Sequence, residues 1–236
     1  VIVLGLILTS AIFILGIAIL ILPKRYRRIF LLTTSLSLFI YKSVEYTLYG
    51  LYLDVTKIPL EFSTLTYFIF SITVLFNVKK WIPLASFMGF ISGIGYLISF
   101  IFLSDQYFEH NGTSITLMAW INHSIIFIGG MILMKDYTFK KIAKKDILIF
   151  TSFYIFYVIL MERLITFTQS FIFIRMLLGG DILRELFPQM TPTSYDYLLY
   201  FFLLFIIYQI AIYLFISINH LISHFNQGEN HHEYTV

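Results

Sequence analysis

Seven apolar segments, near residues 1–22, 30–53, 58–78, 82–104, 114–134, 147–170 and 194–223, constrain this chain more than anything else in it. Each is long enough to cross the hydrocarbon layer of a bilayer, which takes about 20 helical residues. Only 12% of the residues are charged and 59% are hydrophobic, whereas a soluble domain carries roughly a quarter charged. The expected fold is therefore an all-α polytopic membrane protein. It is read as a seven-transmembrane-helix bundle over residues 1–224 with a cytoplasmic tail at 225–236. A shorter apolar piece, Phe171 to Leu178, stops at Gly179-Gly180-Asp181 and reads as a re-entrant or surface segment before the last span. The first segment is too long and uniformly apolar for a signal-peptide core, and no small-residue cleavage site follows it. It reads as a true span.

Basic residues orient the bundle. Alternate loops hold Lys24, Arg25, Arg27 and Arg28, then Lys79 and Lys80, then Lys135, Lys140, Lys141, Lys144 and Lys145. The opposite loops hold only Lys57, Arg175 and Arg184. This bias predicts an external N-terminus and a cytoplasmic C-terminus. The net charge of +3 thus reflects topology, and no nucleic-acid partner is expected. The sequence has no cysteine, which excludes disulfides, thiolate metal sites and a cysteine nucleophile. His231-His232 is too sparse for a metal site, so neither metal nor organic cofactor is expected.

Depth then sorts the intramembrane polar residues. At about 1.5 Å per residue, Glu61 and Ser63 lie roughly 5–8 Å below the outer surface. The run Asn122-His123-Ser124 lies about 12–15 Å down. Lys42, Glu45, Glu162 and Arg163 lie roughly 21–25 Å above the inner surface. All fall in the outer half of the bilayer, where ionisable groups are costly and mark functional sites by default.

Each has a plain alternative. Lys42 and Glu45, three apart, share a helical face with Tyr46 and read equally as an internal ion pair. Glu162 and Arg163 point about 100° apart, toward different neighbours, and can pair with Lys42 or Glu45. His123 is the only histidine expected within the hydrocarbon core, and a lone buried histidine is often structural. Its imidazole can also take a proton from a hydroxyl nucleophile. On an ideal helix Glu61 and Thr64 share a face while Glu61 and Ser63 oppose each other. That allows a Glu61/Thr64 site or a Ser63/Thr66/Tyr67 site. The stripe Ala85-x-x-x-Gly89-x-x-x-Gly93-x-Gly95 reads as a close helix–helix seam. Asn111-Gly112-Thr113 has the form of a sequon, and such triplets are common.

The run Ile58-Pro59-Leu60-Glu61-Phe62-Ser63-Thr64, with Asn122-His123-Ser124-Ile125-Ile126, resembles the YwaF-like bacterial integral membrane family. Eukaryotic relatives of that family are transmembrane acyltransferases acting on ether phospholipids. Its span-opening motif is Leu-Pro-Leu-His-Leu-Cys-Ser, so Glu61 stands where the family has histidine and Ser63 where it has the cysteine thought to carry the acyl group. The resemblance implies acyl transfer or hydrolysis on a membrane lipid in a bacterial plasma membrane. It selects Ser63 as nucleophile over Thr64, with His123 as base. Glu61 or Glu162 would orient the histidine or a head group, and Lys42 or Arg163 would bind a lipid phosphate. Glu45 and Asn122 complete the lining. The rival reading makes the same charged band the site of a small-solute or proton-coupled transporter or sensor. A third makes the protein a catalytically inactive structural relative. Oligomeric state is left open.

Overall fold

The computed structural model describes residues 2–53, 61–164 and 194–226. These form helices α1 (Ile2–Ile21), α2 (Lys24–Leu51), α3 (Phe62–Leu75), α4 (Ile82–Asp136), α5 (Ala143–Leu164) and α6 (Ser194–Asn226), with no strand among them. A 3-10 turn, Lys79–Trp81, leads into α4. The segment expected to be re-entrant and the tail from 227 onward lie outside the described residues.

The longest helix is in fact a hairpin. Gly112 takes φ 75° and ψ 165° inside α4, a conformation that a side chain makes costly and that glycine adopts freely. The chain folds back there, so limbs 82–111 and 113–136 pack antiparallel. The small-residue stripe forms the seam. A Cβ on Gly89 would lie 2.6 Å from the Ile126 carbonyl oxygen, and one on Gly130 would lie 2.7 Å from the Phe90 nitrogen. Ser86 Oγ donates to the Gly130 carbonyl at 2.7 Å across the same seam. Gly95 meets nothing within 4 Å and takes no part. The polar stretch 105–111, expected as an external loop, is helical instead. Nothing before Gly112 stops the helix, and the triplet Asn111-Gly112-Thr113 supplies the turn.

Counting the two limbs of α4 separately, the described residues make seven helical segments close to the seven apolar ones. Seven membrane spans do not follow. Three of the described helices, α1, α4 and the part of α6 from Phe205 to His224, are long and apolar enough to cross a membrane. α3 has 14 residues, about 21 Å at 1.5 Å each, short of a ~30 Å hydrocarbon layer. α2 interrupts its apolar face with Lys42, Glu45 and several hydroxyls.

Cations cap the end of α1. The Leu20 carbonyl in its last turn and the Leu22 carbonyl just past its end accept from Arg27 Nη1 at 3.3 and 2.5 Å, and Lys135 Nζ also donates to Leu20 at 2.8 Å. Positive charge is favourable at a helix C-terminus. Arg27 also pairs with Asp136, so one cluster ties α1, α2 and α4. Buried phenylalanines hold the other contacts: Phe127 meets Phe13 of α1 at 5.2 Å, and Phe215 of α6 meets Phe87 at 5.3 Å. Asn219 of α6 pins the link after α4. Its amide donates to the Met134 and Tyr137 carbonyls, each at 2.7 Å, and its oxygen accepts from the Phe139 N–H at 2.8 Å.

Candidate functional site

The helices bring the polar residues into one layer across α2, α3 and the second limb of α4. On α2, Lys42 Nζ and Glu45 Oε2 form an ion pair at 2.6 Å. Tyr41 and Tyr49 hydroxyls each donate to Glu45 Oε1 at 3.4 Å. The Lys42 ammonium lies over two aromatic faces, 5.0 Å from the Tyr41 centroid and 4.9 Å from that of Tyr67 on α3. Contacts of that kind stabilise by about 0.5–2 kcal/mol, more where water is excluded. The internal-pair alternative for Lys42 and Glu45 is therefore what the described geometry contains. The side chains of Glu162 and Arg163, on the last turns of α5, lie outside the described residues.

Glu61 is not on the α3 helix but caps it, at φ −67° and ψ 137°. The ideal-helix rotation that set Glu61 and Ser63 on opposite sides therefore does not apply. Freed from the helix, Glu61 turns its carboxylate toward Ser63, whose Oγ donates to Oε2 at 3.3 Å. Thr64 faces the other way: it is buried and shares a 3.0 Å hydrogen bond with Tyr46 on α2.

His123 meets Tyr67. Their rings pack edge to face at 5.6 Å, and the Tyr67 hydroxyl lies 3.0 Å from Nδ1 and 3.3 Å from Nε2. The Ala119 carbonyl, 2.9 Å from Nδ1, can only accept, which assigns the ring proton to Nδ1 and leaves Nε2 as acceptor toward the phenol. Tyr96, from the first limb of α4, stacks flat on the imidazole at 4.0 Å and 14°. Gly93 makes that approach possible, because its backbone lies directly against the turn carrying His123. Ser63 is one helical turn before Tyr67 on the same face and is the hydroxyl neighbour of its phenol. The result is a line from Glu61 and Ser63 at the helix mouth, through Tyr67, to His123. Asn122 is buried beside His123 but, one residue earlier, points about 100° away from it.

An apolar groove of about 230 Å³ adjoins the mouth, lined by Leu65, Phe150, Phe153, Tyr154 and Tyr157 between α3 and α5. Leu65 follows Glu61 by four residues, and Tyr154 packs edge-on to Phe62 at 5.0 Å. Tyr96 was not singled out from the sequence, and Tyr67 was named there only as a neighbour of Ser63 and Thr66, without its meeting with His123. The four-residue step from Ser63 to Tyr67 was the available signal for the second; the first needed the pairing of the two α4 limbs. Among the described residues no group of three or more His, Asp or Glu side chains is arranged to hold a metal ion. Comparison with protein-family models, curated proteins and solved structures finds no match.

Proposed function

We propose that the chain is an integral membrane protein that transfers or hydrolyses an acyl group on a membrane lipid, with Ser63 as nucleophile and His123 as base acting through Tyr67. The 3.3 Å approach of the Tyr67 hydroxyl to His123 Nε2 carries this reading, since it joins the imidazole to the face of α3 that bears Ser63. The Ser63 hydroxyl turns from its resting hydrogen bond with Glu61 toward Tyr67; as Oγ then bonds to the ester carbonyl carbon, its proton passes to the Tyr67 oxygen while the Tyr67 proton passes to Nε2. The reverse transfer protonates the departing lipid alcohol. Water or a second alcohol then takes the acyl group from Ser63 by the same route. Glu61 holds the Ser63 hydroxyl in place, and the groove along Leu65 and Tyr154 takes the acyl chain. Lys42 and Glu45 brace Tyr67 from α2, while Glu162 and Arg163 keep the head-group role. In this reading all seven helical segments sit in a bacterial plasma membrane, N-terminus outside, with α3 packed among its neighbours and α2 presenting Ile29, Leu36, Ile40 and Val44 to lipid.

The test is reconstitution into vesicles of phospholipid with labelled acyl chains. Release or transfer of label is expected from the wild type. It should fall about 10²–10⁴-fold in His123→Ala, the usual contribution of a general base, and vanish in Ser63→Ala. Thr64→Ala should retain turnover. A second reading, a small-solute or proton-coupled transporter or sensor, draws on the Lys42 ammonium over Tyr67, which couples the charged pair to the imidazole. Vesicles that show ion or solute flux dependent on Lys42 and His123, and no acyl turnover, would favour it instead.

A further inference from the structure

Many hydroxyls in these helices share one habit. Thr33, Thr47, Thr66, Ser124, Thr151 and Ser152 each donate to the carbonyl four residues back. Ser35 and Ser71 do not. Both are 0% exposed, and neither hydroxyl has a hydrogen-bond partner. A buried hydroxyl without a partner is costly, and such groups in native proteins are commonly met by ordered water.

The two serines share an interface. α2 and α3 run antiparallel, with Tyr46 bonded to Thr64, Phe39 against Phe68 and Lys42 over Tyr67. Ser35 lies seven residues from Lys42 and eleven from Tyr46, on the same face of α2. Ser71 lies four residues from Tyr67 and seven from Thr64, on the facing side of α3. The register sets Ser71 opposite Leu38, so the serines differ in depth by about 4.5 Å along the helix axes. An axial offset of that size, less than one helical turn, is within the span of one bridging water. Thr73, also unpartnered, is two residues from Ser71 and so lies on the opposite side of α3.

We infer that Ser35 and Ser71 form a buried water-binding site between α2 and α3, on the side of the Lys42–Tyr67 contact nearer the α1–α2 loop. It carries the polar layer one turn further into the bundle than the charged residues mark. Ser71 is one turn from Tyr67, so the bound water hydrates the bundle interior behind the phenol. Neither bulk solvent nor lipid reaches it, because both serines and Leu38 beside them are sealed off.

The opposing physics makes the test decisive. If the hydroxyls are dry, removing either one removes an unsatisfied group and raises stability. If they hold water, Ser35→Ala and Ser71→Ala each strand it and each lower the melting temperature of the purified protein. The double variant then loses less than the two single losses together. Radiolytic labelling in ¹⁸O water supplies a second readout on the intact wild type: Leu38, 2% exposed, takes up label from an internal water alone, and the double variant loses at least half of it. Single variants that melt at or above the wild type, or a Leu38 that takes up no label, overturn the site.

Discussion

Gly93→Leu is expected to leave almost no folded protein, while Gly95→Leu folds normally. A Cβ at Gly93 would lie 2.5 Å from Phe127 Cβ and 2.8 Å from the His123 carbonyl oxygen, whereas one at Gly95 meets nothing within 4 Å. Overpacking an ordinary core site costs about 1–3 kcal/mol. The cost here is larger, because what stands in the way is the backbone of the facing limb and not a side chain that can rotate. Folded yield after detergent extraction, read by size exclusion, checks the pair. Equal yields would mean that the two limbs of α4 do not meet along this seam.

The second large effect is expected at Lys42. Lys42→Met leaves the Glu45 carboxylate partly buried without its cation, and breaking a buried pair typically costs about 3–5 kcal/mol. The side chains are 12% and 22% exposed, and Tyr41 and Tyr49 still donate to Glu45, which sets the expected loss at about 3 kcal/mol, the lower end. Lys42→Met combined with Glu45→Gln should recover most of it, since no charge is then stranded. Thermal unfolding of the three variants measures this. Losses that simply add in the double variant would show that the pair is not coupled.

These two cases also show how much of the architecture the sequence made legible. The glycine stripe announced a close seam, and the three-residue spacing of Lys42 and Glu45 announced their pairing, because both depend on local helical geometry alone. The segments themselves were legible for the same reason. The span count was not, since hydropathy sees apolar length but not that α3 begins only at Phe62 or that α2 is amphipathic enough to need neighbours. Glu61 escaped because a wheel drawn through it assumes that it is helical, and it is the cap. The meeting of Tyr67 with His123 escaped because it requires the relative rotation of α3 and α4, which the close packing of Phe70 on Gly129 decides.

The most direct measurement of the central claim, that Ser63 is a nucleophile served by His123 through Tyr67, is covalent labelling by a fluorophosphonate in native membranes. The account predicts one adduct, on Ser63, that disappears in Ser63→Ala. It predicts a steep fall in His123→Ala, where the base is gone, and in Tyr67→Phe, where the ring packing is kept but the proton path is cut. Thr64→Ala should label as the wild type does. An adduct on another residue, or Ser63 labelling unchanged in both Tyr67→Phe and His123→Ala, would contradict it.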